Sequence, residues 1–313
     1  MYESWWSKLK KIILLFFVLF TVSLTACNNN QEQIKVIVPN GVPSIAQSYM
    51  EYHQDNTNYL IERVSGPSPL LAAFTSKSHE IIIAPINLGT NLYNKGMGYK
   101  LAGLLTWTNF QIISKSPIDI NNLDNYTIIS YGKAAVPEII LDYLFEQINP
   151  NIEINFDASS VQEAYLRFMQ EENTIAIISE PVTTTAILND ESLYTLDLAQ
   201  IWEDYTEFDL FPQAGVFVSE DLSDSQINNY LRGLQSAAIY TLNNPEEVSG
   251  FCESMDYPFS KEVIRDSINR SNIAFLYAED EEQVINDFLQ MIYDFKPELI
   301  GNAIPNEDFI WRK

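Results

Sequence analysis

The chain has 313 residues and a formal net charge of −24, and 46% of its residues are hydrophobic. This length predicts two lobes of ordinary domain size, and the hydrophobic content excludes a disordered chain. The negative charge excludes the basic surface that DNA or RNA binding requires, so we expect no nucleic-acid partner.

The first 26 residues show the three zones of a secretory signal. Lysines at positions 8, 10 and 11 supply positive charge, and residues 12–24 form an almost unbroken apolar run. As a helix that run is about 20 Å long, against about 30 Å for the hydrocarbon core of a bilayer. The segment is therefore too short to predict a permanent membrane span.

Leu24-Thr25-Ala26-Cys27 closes this segment and resembles the lipobox of bacterial lipoproteins. The resemblance implies a signal peptide over 1–26, a lipid anchor of diacylglyceryl and palmitate type on Cys27, a polar tether over 27–33 and an extracytoplasmic protein held at the bacterial cell membrane. An ordinary signal peptide with an incidental cysteine, or a short uncleaved anchor, is the alternative. With Cys27 lipidated, Cys252 has no intramolecular partner, and we expect it to be a packed small hydrophobe.

From residue 34 the pattern alternates strand, loop and helix three times. Ser44 and Ser68 are candidate N-caps of the first two helices. Strand-helix units with short connections predict an α/β fold with a parallel sheet, whose ligands bind at the carboxyl ends of the strands. The predicted strands are 34–38, 59–64, 81–84, 100–106 and 110–114, and the predicted helices are 45–53, 69–75 and one that follows the loop 85–89 and ends near 94.

A second lobe is predicted to repeat this rhythm after the polar stretch 115–125. Its strands are expected over 126–130, 152–156, 174–178 and 193–196, with helices over 134–147, after Ser160 and after Glu180. The chain then returns through a strand at 212–219. The remainder is predicted to be helical, over 223–242, 245–253, 260–269 and 281–295.

The chain carries five segments in a characteristic order: Val42-Pro43-Ser44, Ala84-Pro85, Tyr131-Gly132-Lys133, Glu180-Pro181, and the closing run 270–309 with Ile300-Gly301 and Pro305-Asn306-Glu307-Asp308-Phe309. In this order the chain resembles the type II substrate-binding proteins of ABC importers, in the branch that binds nitrate, sulfonates, taurine and thiamine precursors. Asn306 and Ile310 depart from the closing pattern of that family, which often has Pro-Asp and an aromatic pair.

The resemblance implies a two-lobe periplasmic-binding-protein fold, in which each lobe is a mostly parallel sheet flanked by helices and two segments cross between the lobes. The lobes are expected at 34–111 plus 207–313 and at 112–206. The resemblance further implies a monomer that closes on a small-molecule ligand and delivers it to ABC permease subunits in the membrane. We favour a heterocyclic solute of thiamine-precursor type over a sulfonate or nitrate, because acidic and aromatic residues adjoin the expected cleft.

Ten residues near the predicted strand ends and crossings are candidates for ligand contact: Ser44, Gly66, Ser68, Asn87, Trp107, Tyr131, Gly132, Lys133, Glu180 and Gln213. Free N–H groups at helix starts favour an anion or a polar acceptor, whereas Glu180 would bind an amine or ring N–H. Each residue also has a structural interpretation: the serines as plain N-caps, Gly132 as a turn residue, Lys133 as solvated, Asn87 as bonded to its own backbone, the aromatic residues as core, and Glu180 as paired with a helix dipole.

Catalytic chemistry has no support in the pattern. The two histidines, His53 and His79, lie in polar stretches without metal-ligand spacing, and no phosphate loop, dinucleotide fingerprint or nucleophile elbow occurs. We therefore expect no enzyme activity, no metal and no cofactor. Two alternatives stay open: an enzyme on the same fold, of the menaquinone-pathway lyase or pyrimidine synthase type, and a ligand-sensing lipoprotein without transport.

Overall fold

The computed structural model describes residues 33–133, 135–206 and 210–313. The predicted signal peptide and Cys27 lie outside the described residues, and so does the tether except for Gln33. Of the described helices, none is long and apolar enough to cross a membrane.

The described chain alternates strands and helices as far as residue 219 and is mainly helical beyond it. Strands are β1 Ile34–Pro39, β2 Tyr59–Val64, β3 Ile81–Pro85, β4 Tyr99–Trp107, β5 Phe110–Ser114, β6 Thr127–Tyr131, β7 Ile154–Ala158, β8 Thr174–Ser179, β9 Tyr194–Asp197, β10 Pro212–Ser219 and β11 Ile273–Tyr277. Helices are α1 Val42–Tyr52, α2 Pro67–Ser76, α3 Ile86–Asn94, α4 Val136–Ile148, α5 Val161–Gln170, α6 Val182–Asn189, α7 Leu198–Tyr205, α8 Asp224–Asn243, α9 Pro245–Ser254, α10 Lys261–Ser267 and α11 Glu282–Phe295. A 3₁₀ turn at Ile268–Arg270 follows α10 directly.

These strands form two mixed sheets, which confirms the predicted α/β class. The first sheet has the order β11-β4-β10-β3-β1-β2, and the second has the order β7-β6-β8-β5-β9. In the first sheet β1 to β4 share one direction, and β10 and β11 oppose them. In the second sheet only β5 opposes the other four strands. Most strands in each sheet therefore share one direction, as predicted. The strands that oppose this direction are β10 and β11 in the first sheet and β5 in the second.

The passage from the first sheet to the second is very short. β4 ends at Trp107 and β5 begins at Phe110, so only Thr108 and Asn109 lie between these two strands. Two intervening residues span at most roughly 11 Å, so the ends of these strands lie close together. The predicted lobe boundary between 111 and 112 falls inside β5, and the polar stretch 115–125 follows that strand. The division of the chain into two lobes stays a prediction.

Two helices begin earlier than the serine caps predict. α1 starts at Val42 behind Gly41, and α2 starts at Pro67 behind Gly66, and neither has a side-chain cap. Proline is well placed in a first helical turn because its missing N–H is not needed there. The prolines therefore extend both helices toward the strand ends, which puts Ser44 and Ser68 inside the first turn.

Two elements are missing from the sequence prediction, α7 and β11. The expectation that the chain is wholly helical after 219 is wrong, because β11 pairs antiparallel with β4. β11 is only five residues long, with Ile273 and Phe275 buried and their neighbours less so. Such a short alternation does not separate a strand from a helical turn without the partner strand.

The largest hydrophobic core runs through both sheets. It joins Leu104 and Phe217 of the first sheet to Ile112 and Ile177 of the second, and Phe211 lies between them. A separate cluster under α1 holds Cys252, which is fully buried. Burial raises the pKa of its thiol to about 12, which confirms the packed, unreactive cysteine.

Candidate functional site

The carboxyl edges of the two sheets supply the residues of the candidate site. On the first sheet, Asn40 follows β1, and Gln213 is the second residue of β10, which begins at this same edge. On the second sheet, Glu180 follows β8, and α6 carries Thr184 in its first turn. The crossing residues Thr108 and Asn109 connect the two edges, which we therefore treat as the walls of one interlobe site.

Glu180 is held at this site by its own backbone and by the start of α6. Its N–H donates to the carbonyl of Asn109 at 3.1 Å, which continues the antiparallel pairing of Phe110 with Ser179. The N–H of Thr184 donates to Glu180 Oε2 at 3.1 Å. This bond is the helix-start role that the sequence allowed for Glu180. Its other oxygen, Oε1, is buried without a hydrogen-bond partner among the described residues.

Burial controls the charge of Glu180. The side chain is only 4% exposed, and desolvation raises its pKa to about 7. The bond from Thr184 and the charge of Arg270 lower the pKa, and Asp197 raises it, but burial is the largest cause. A carboxyl group with this pKa changes charge near neutral pH, and such groups cluster at functional sites.

Six side-chain atoms at this site are buried with no hydrogen-bond partner in the described part of the chain. They are Asn40 Oδ1, Thr108 Oγ1, Asn109 Oδ1, Glu180 Oε1, Thr184 Oγ1 and Gln213 Oε1. Buried polar atoms are nearly always paired, because each unpaired one costs about 1–3 kcal/mol. So many at one pair of sheet edges indicates a surface built to bind something polar.

The six residues are linked through the chain, through hydrogen bonds or through the order of the strands. Asn109 and Glu180 are hydrogen bonded, Thr184 is bonded to Glu180, and Thr108 adjoins Asn109 in the chain. Gln213 follows Pro212, which is paired with Trp107 at the end of β4. Asn40 is at the far side, because β3 separates β1 from β10 and two strand spacings are about 10 Å.

Besides Glu180, three of the ten candidates from the sequence lie at the edge of the second sheet. Tyr131 Oη and Ser179 Oγ share a hydrogen bond of 2.7 Å beside Glu180, and burial raises the pKa of Tyr131 to about 12. Lys133 is 68% exposed and pairs with Asp157 at 3.3 Å, so it is solvated. Gly132 lies between them in a left-handed turn.

Trp107 and Ser44 are placed in the protein interior. Trp107 is 8% exposed, belongs to the core and donates its indole N–H to the carbonyl of Ala274 at 2.9 Å. Ser44 is fully buried and donates to the carbonyl of Gly41 at 2.9 Å. Their contacts are those of core and helix-start residues, so we leave both out of the proposed site.

Gly66, Ser68 and Asn87 lie at the ends of β2 and β3. Gly66 has φ of +77° and ψ of 173°, a conformation that only glycine adopts readily. Ser68 is exposed, and Asn87 is half-buried in the first turn of α3. Gly66 and Ser68 follow the outermost strand β2, Asn87 follows the inner strand β3, and their contact with ligand stays a prediction.

Four residues of the interlobe site escaped the sequence analysis: Asn40, Thr108, Asn109 and Thr184. Asn40 stands in Pro39-Asn40-Gly41, a sequence typical of a turn. Thr108 and Asn109 are two polar residues between two apolar strands, and that interruption was the available signal. Nothing in the local pattern around Thr184 distinguishes it from its helical neighbours Thr183 and Thr185.

Replacing Gly132 with alanine tests whether this turn positions the site. The residue has φ of +81°, and an added Cβ would lie 2.7 Å from Cγ of Pro137. A left-handed non-glycine residue costs about 1–2 kcal/mol, and the contact adds to it, so we expect a melting temperature lower by about 5 °C. Gly250→Ala is the control, since its Cβ meets no atom within 4 Å on α9 and helix propensity predicts a small gain. Equal melting temperatures for the two variants would contradict this assignment.

A metal centre has no basis in the described residues. No group of three or more histidine, cysteine, aspartate or glutamate side chains gathers there in a way that would hold an ion. His79 instead lies beside Glu62, with Nε2 and Oε2 separated by 3.2 Å.

The two-sheet α/β architecture matches the fold of periplasmic binding proteins. Its chain is similar to the crystal structure of an ABC transporter from Parabacteroides distasonis, with a TM-score of 0.81 and 23% identity over 90% of this chain and 100% of that one. It is also similar to the periplasmic aliphatic sulphonate binding protein SsuA from Escherichia coli, with a TM-score of 0.67 and 15% identity over 90% and 93% of the two chains.

A third similar structure is the ligand binding component of an ABC-type import system from Staphylococcus aureus with zinc bound, with a TM-score of 0.65, 15% identity and coverage of 90% and 97%. The TM-scores of these three structures establish a shared fold. No protein-family model matches the sequence, and no curated protein matches it.

Proposed function

We propose that this protein is a lipid-anchored, extracytoplasmic substrate-binding protein of an ABC importer. It captures a small organic solute between its two lobes and passes it to a membrane permease. The observation that carries the proposal is the set of six unpartnered, buried polar atoms on the facing carboxyl edges. Ligands of open α/β sheets bind at such edges, and a solute held there would complete those hydrogen bonds.

The short crossing supports closure as the binding motion. Residues 108–109 are a two-residue connection between the sheets, so a few dihedral angles there can swing one lobe against the other. The similar structures are described as an ABC transporter, a sulphonate binding protein and an import component, which supports transport over catalysis. Copurification with permease subunits would separate import from ligand sensing.

Ligand binding is tested by closure and by melting temperature. We expect a solute from a broad nutrient panel to raise the melting temperature. At a concentration 100 times its Kd, such a ligand raises the free energy of unfolding by about 2.7 kcal/mol. The same solute should reduce the radius of gyration in small-angle X-ray scattering. If no nutrient raises the melting temperature, the proposal of a transport function is wrong.

Replacing Cys27 with serine tests the anchor in the native host. The wild-type protein should appear in the membrane fraction and incorporate labelled palmitate, because two or more acyl chains hold a protein stably at a bilayer. Cys27→Ser should lose the label and leave the lipid-anchored fraction. Cys252→Ser is the matched control and should keep both properties. Label in Cys27→Ser would rule out the lipobox assignment.

A further inference from the structure

The unpartnered atoms of the interlobe site are mostly hydrogen-bond acceptors. Three are amide carbonyl oxygens, of Asn40, Asn109 and Gln213, and one is the carboxyl Oε1 of Glu180. The other two are the hydroxyls of Thr108 and Thr184, which both donate and accept. A ligand that satisfies this set must bring donors, because an acceptor placed against these oxygens would leave both sides unpaired.

The most deeply buried residues of the site lie in the crossing, directly after β8 and in α6. Thr108, Asn109, Glu180 and Thr184 are each at least nine-tenths buried, so bulk water does not satisfy their side chains freely. Asn40 Nδ2 already donates to Ser65 Oγ at 2.9 Å, which leaves its carbonyl oxygen as the group still to be paired. The buried wall of the site is therefore acceptor-rich on both sheets.

Two charged groups of opposite sign act on Glu180. Arg270, exposed on the 3₁₀ turn before β11, and Asp197, at the end of β9, are the charges that act on Glu180. Asp197 already accepts from Gln111 Nε2 and from the N–H of Ala199, both at 3.0 Å. Lys133 is engaged with Asp157 on the surface. None of the described lysines or arginines is buried among the six acceptor-rich residues.

We propose that the interlobe site selects a neutral or cationic nitrogenous solute that presents several N–H donors, with Glu180 as its charge partner, and that it rejects sulfonates and nitrate. This inference rests on the proposed function and names the substrate class of the same site. A sulfonate brings only acceptor oxygens and a full negative charge. It would face the Glu180 carboxyl and three unpaired amide oxygens, and a mismatch of this kind discriminates strongly.

Proton linkage follows from this charge pairing. The empty protein holds Glu180 partly protonated at neutral pH, since burial raises its pKa to about 7. A cationic donor binds the ionised carboxyl, so the affinity should rise with pH as Glu180 loses its proton. The ionised fraction grows about tenfold between pH 6 and pH 8 for a group with that pKa, and the affinity should follow it.

The experiment uses matched probes of opposite charge on the full mature chain. Benzamidine and benzoate share one shape but differ in donors and charge, and guanidine, 4-aminopyrimidine, ethanesulfonate and nitrate extend the two classes. Melting-temperature shifts and calorimetric titration at pH 6 and pH 8 measure binding. We expect the N–H-bearing probes to bind, benzamidine about tenfold more tightly at pH 8 than at pH 6, and the anions to leave the melting temperature unchanged.

Glu180→Gln identifies the responsible group. It should weaken benzamidine at pH 8 by about tenfold or more and remove the pH dependence, since a hydrogen bond to a charged group is worth more than one to an amide. Glu172→Gln, an exposed acid on the same lobe, should change neither property. The unliganded melting temperature of each variant shows that it is folded.

The outcomes separate this inference from the proposed function. Anions that bind and compact the protein would overturn the donor class while leaving the transport function standing. Binding of N–H probes that is unchanged in Glu180→Gln would overturn the role of Glu180. If neither probe class nor any nutrient binds, both the inference and the proposed function are wrong.

Discussion

Phe211→Ala is expected to lower the free energy of unfolding by about 3–5 kcal/mol, as large-to-small changes at fully packed aromatic sites do. Phe211 is 2% exposed and lies on the chain segment between α7 and β10. Its ring is 5.1 Å from that of Trp202 and is stacked on Phe288 of α11 at 5.8 Å. The ring of Phe110, at the start of β5, is 6.4 Å away.

The size of this effect follows from the position of Phe211 between the sheets. Its neighbours come from β5 and α7 on one side and from α11 on the other, so its loss opens a cavity shared by both. Urea unfolding followed by circular dichroism measures the change. Phe295→Ala is the matched control, because Phe295 is 39% exposed and its truncation removes far less buried surface. Similar losses of unfolding free energy in the two variants would show that Phe211 is not a packing residue between the two sheets.

Glu180→Gln is expected to raise the free energy of unfolding at pH 8 by about 3 kcal/mol more than it does at pH 4. The unfolded carboxyl ionises near pH 4.5, whereas the folded one keeps its proton until about pH 7. Between these values the folded state binds more protons, so the wild type loses stability as pH rises through this window and stays at the lower level above it. Each unit of difference is worth about 1.4 kcal/mol. Glutamine has no proton to lose and escapes the penalty.

Urea unfolding of both proteins at pH 4 and pH 8 measures this difference. Glu163→Gln supplies a control of opposite sign, because hydrogen bonds from Ser159 lower the pKa of Glu163 to about 2. That carboxylate stabilises the fold above its unfolded pKa of 4.5, and the contribution is lost as pH falls toward 2. Its replacement should therefore weaken the protein at pH 8 and still weaken it at pH 4, and this effect should disappear only near pH 2. A Glu180→Gln effect that is the same at pH 4 and pH 8 would contradict the burial of an ionisable group.

Glu180→Gln is expected to have opposite effects on stability and on ligand binding. A buried, half-satisfied carboxyl destabilises the unliganded protein, and Glu180→Gln relieves that cost. The same change should lower the affinity for the ligand. This is the trade expected where a site keeps polar groups unpaired until a solute arrives.

Glu180 and Trp107 show how far local patterns reach. Glu180 stood out because an acid and a proline directly follow a buried strand, and the structure does place it at the carboxyl edge. Trp107 looked equally suitable, since it ends a strand near the predicted crossing. Its indole N–H instead bonds to Ala274 in β11, an element that the sequence pattern did not reveal. The position of a side chain at a strand end is readable from sequence, but its neighbour across the fold is not.

The local order of residues was enough to establish the α/β class and most of its alternating strands and helices, and to predict the edge at which a ligand would lie. Those properties follow from backbone preferences and from the period of apolar positions, which act over a few residues. The meeting of Asn109 with Glu180, about seventy positions apart, depends on β5 entering the second sheet beside β8. Strand pairing over such distances is set by the packing of whole layers, so the unpaired polar atoms that characterise this site emerge only in the folded chain.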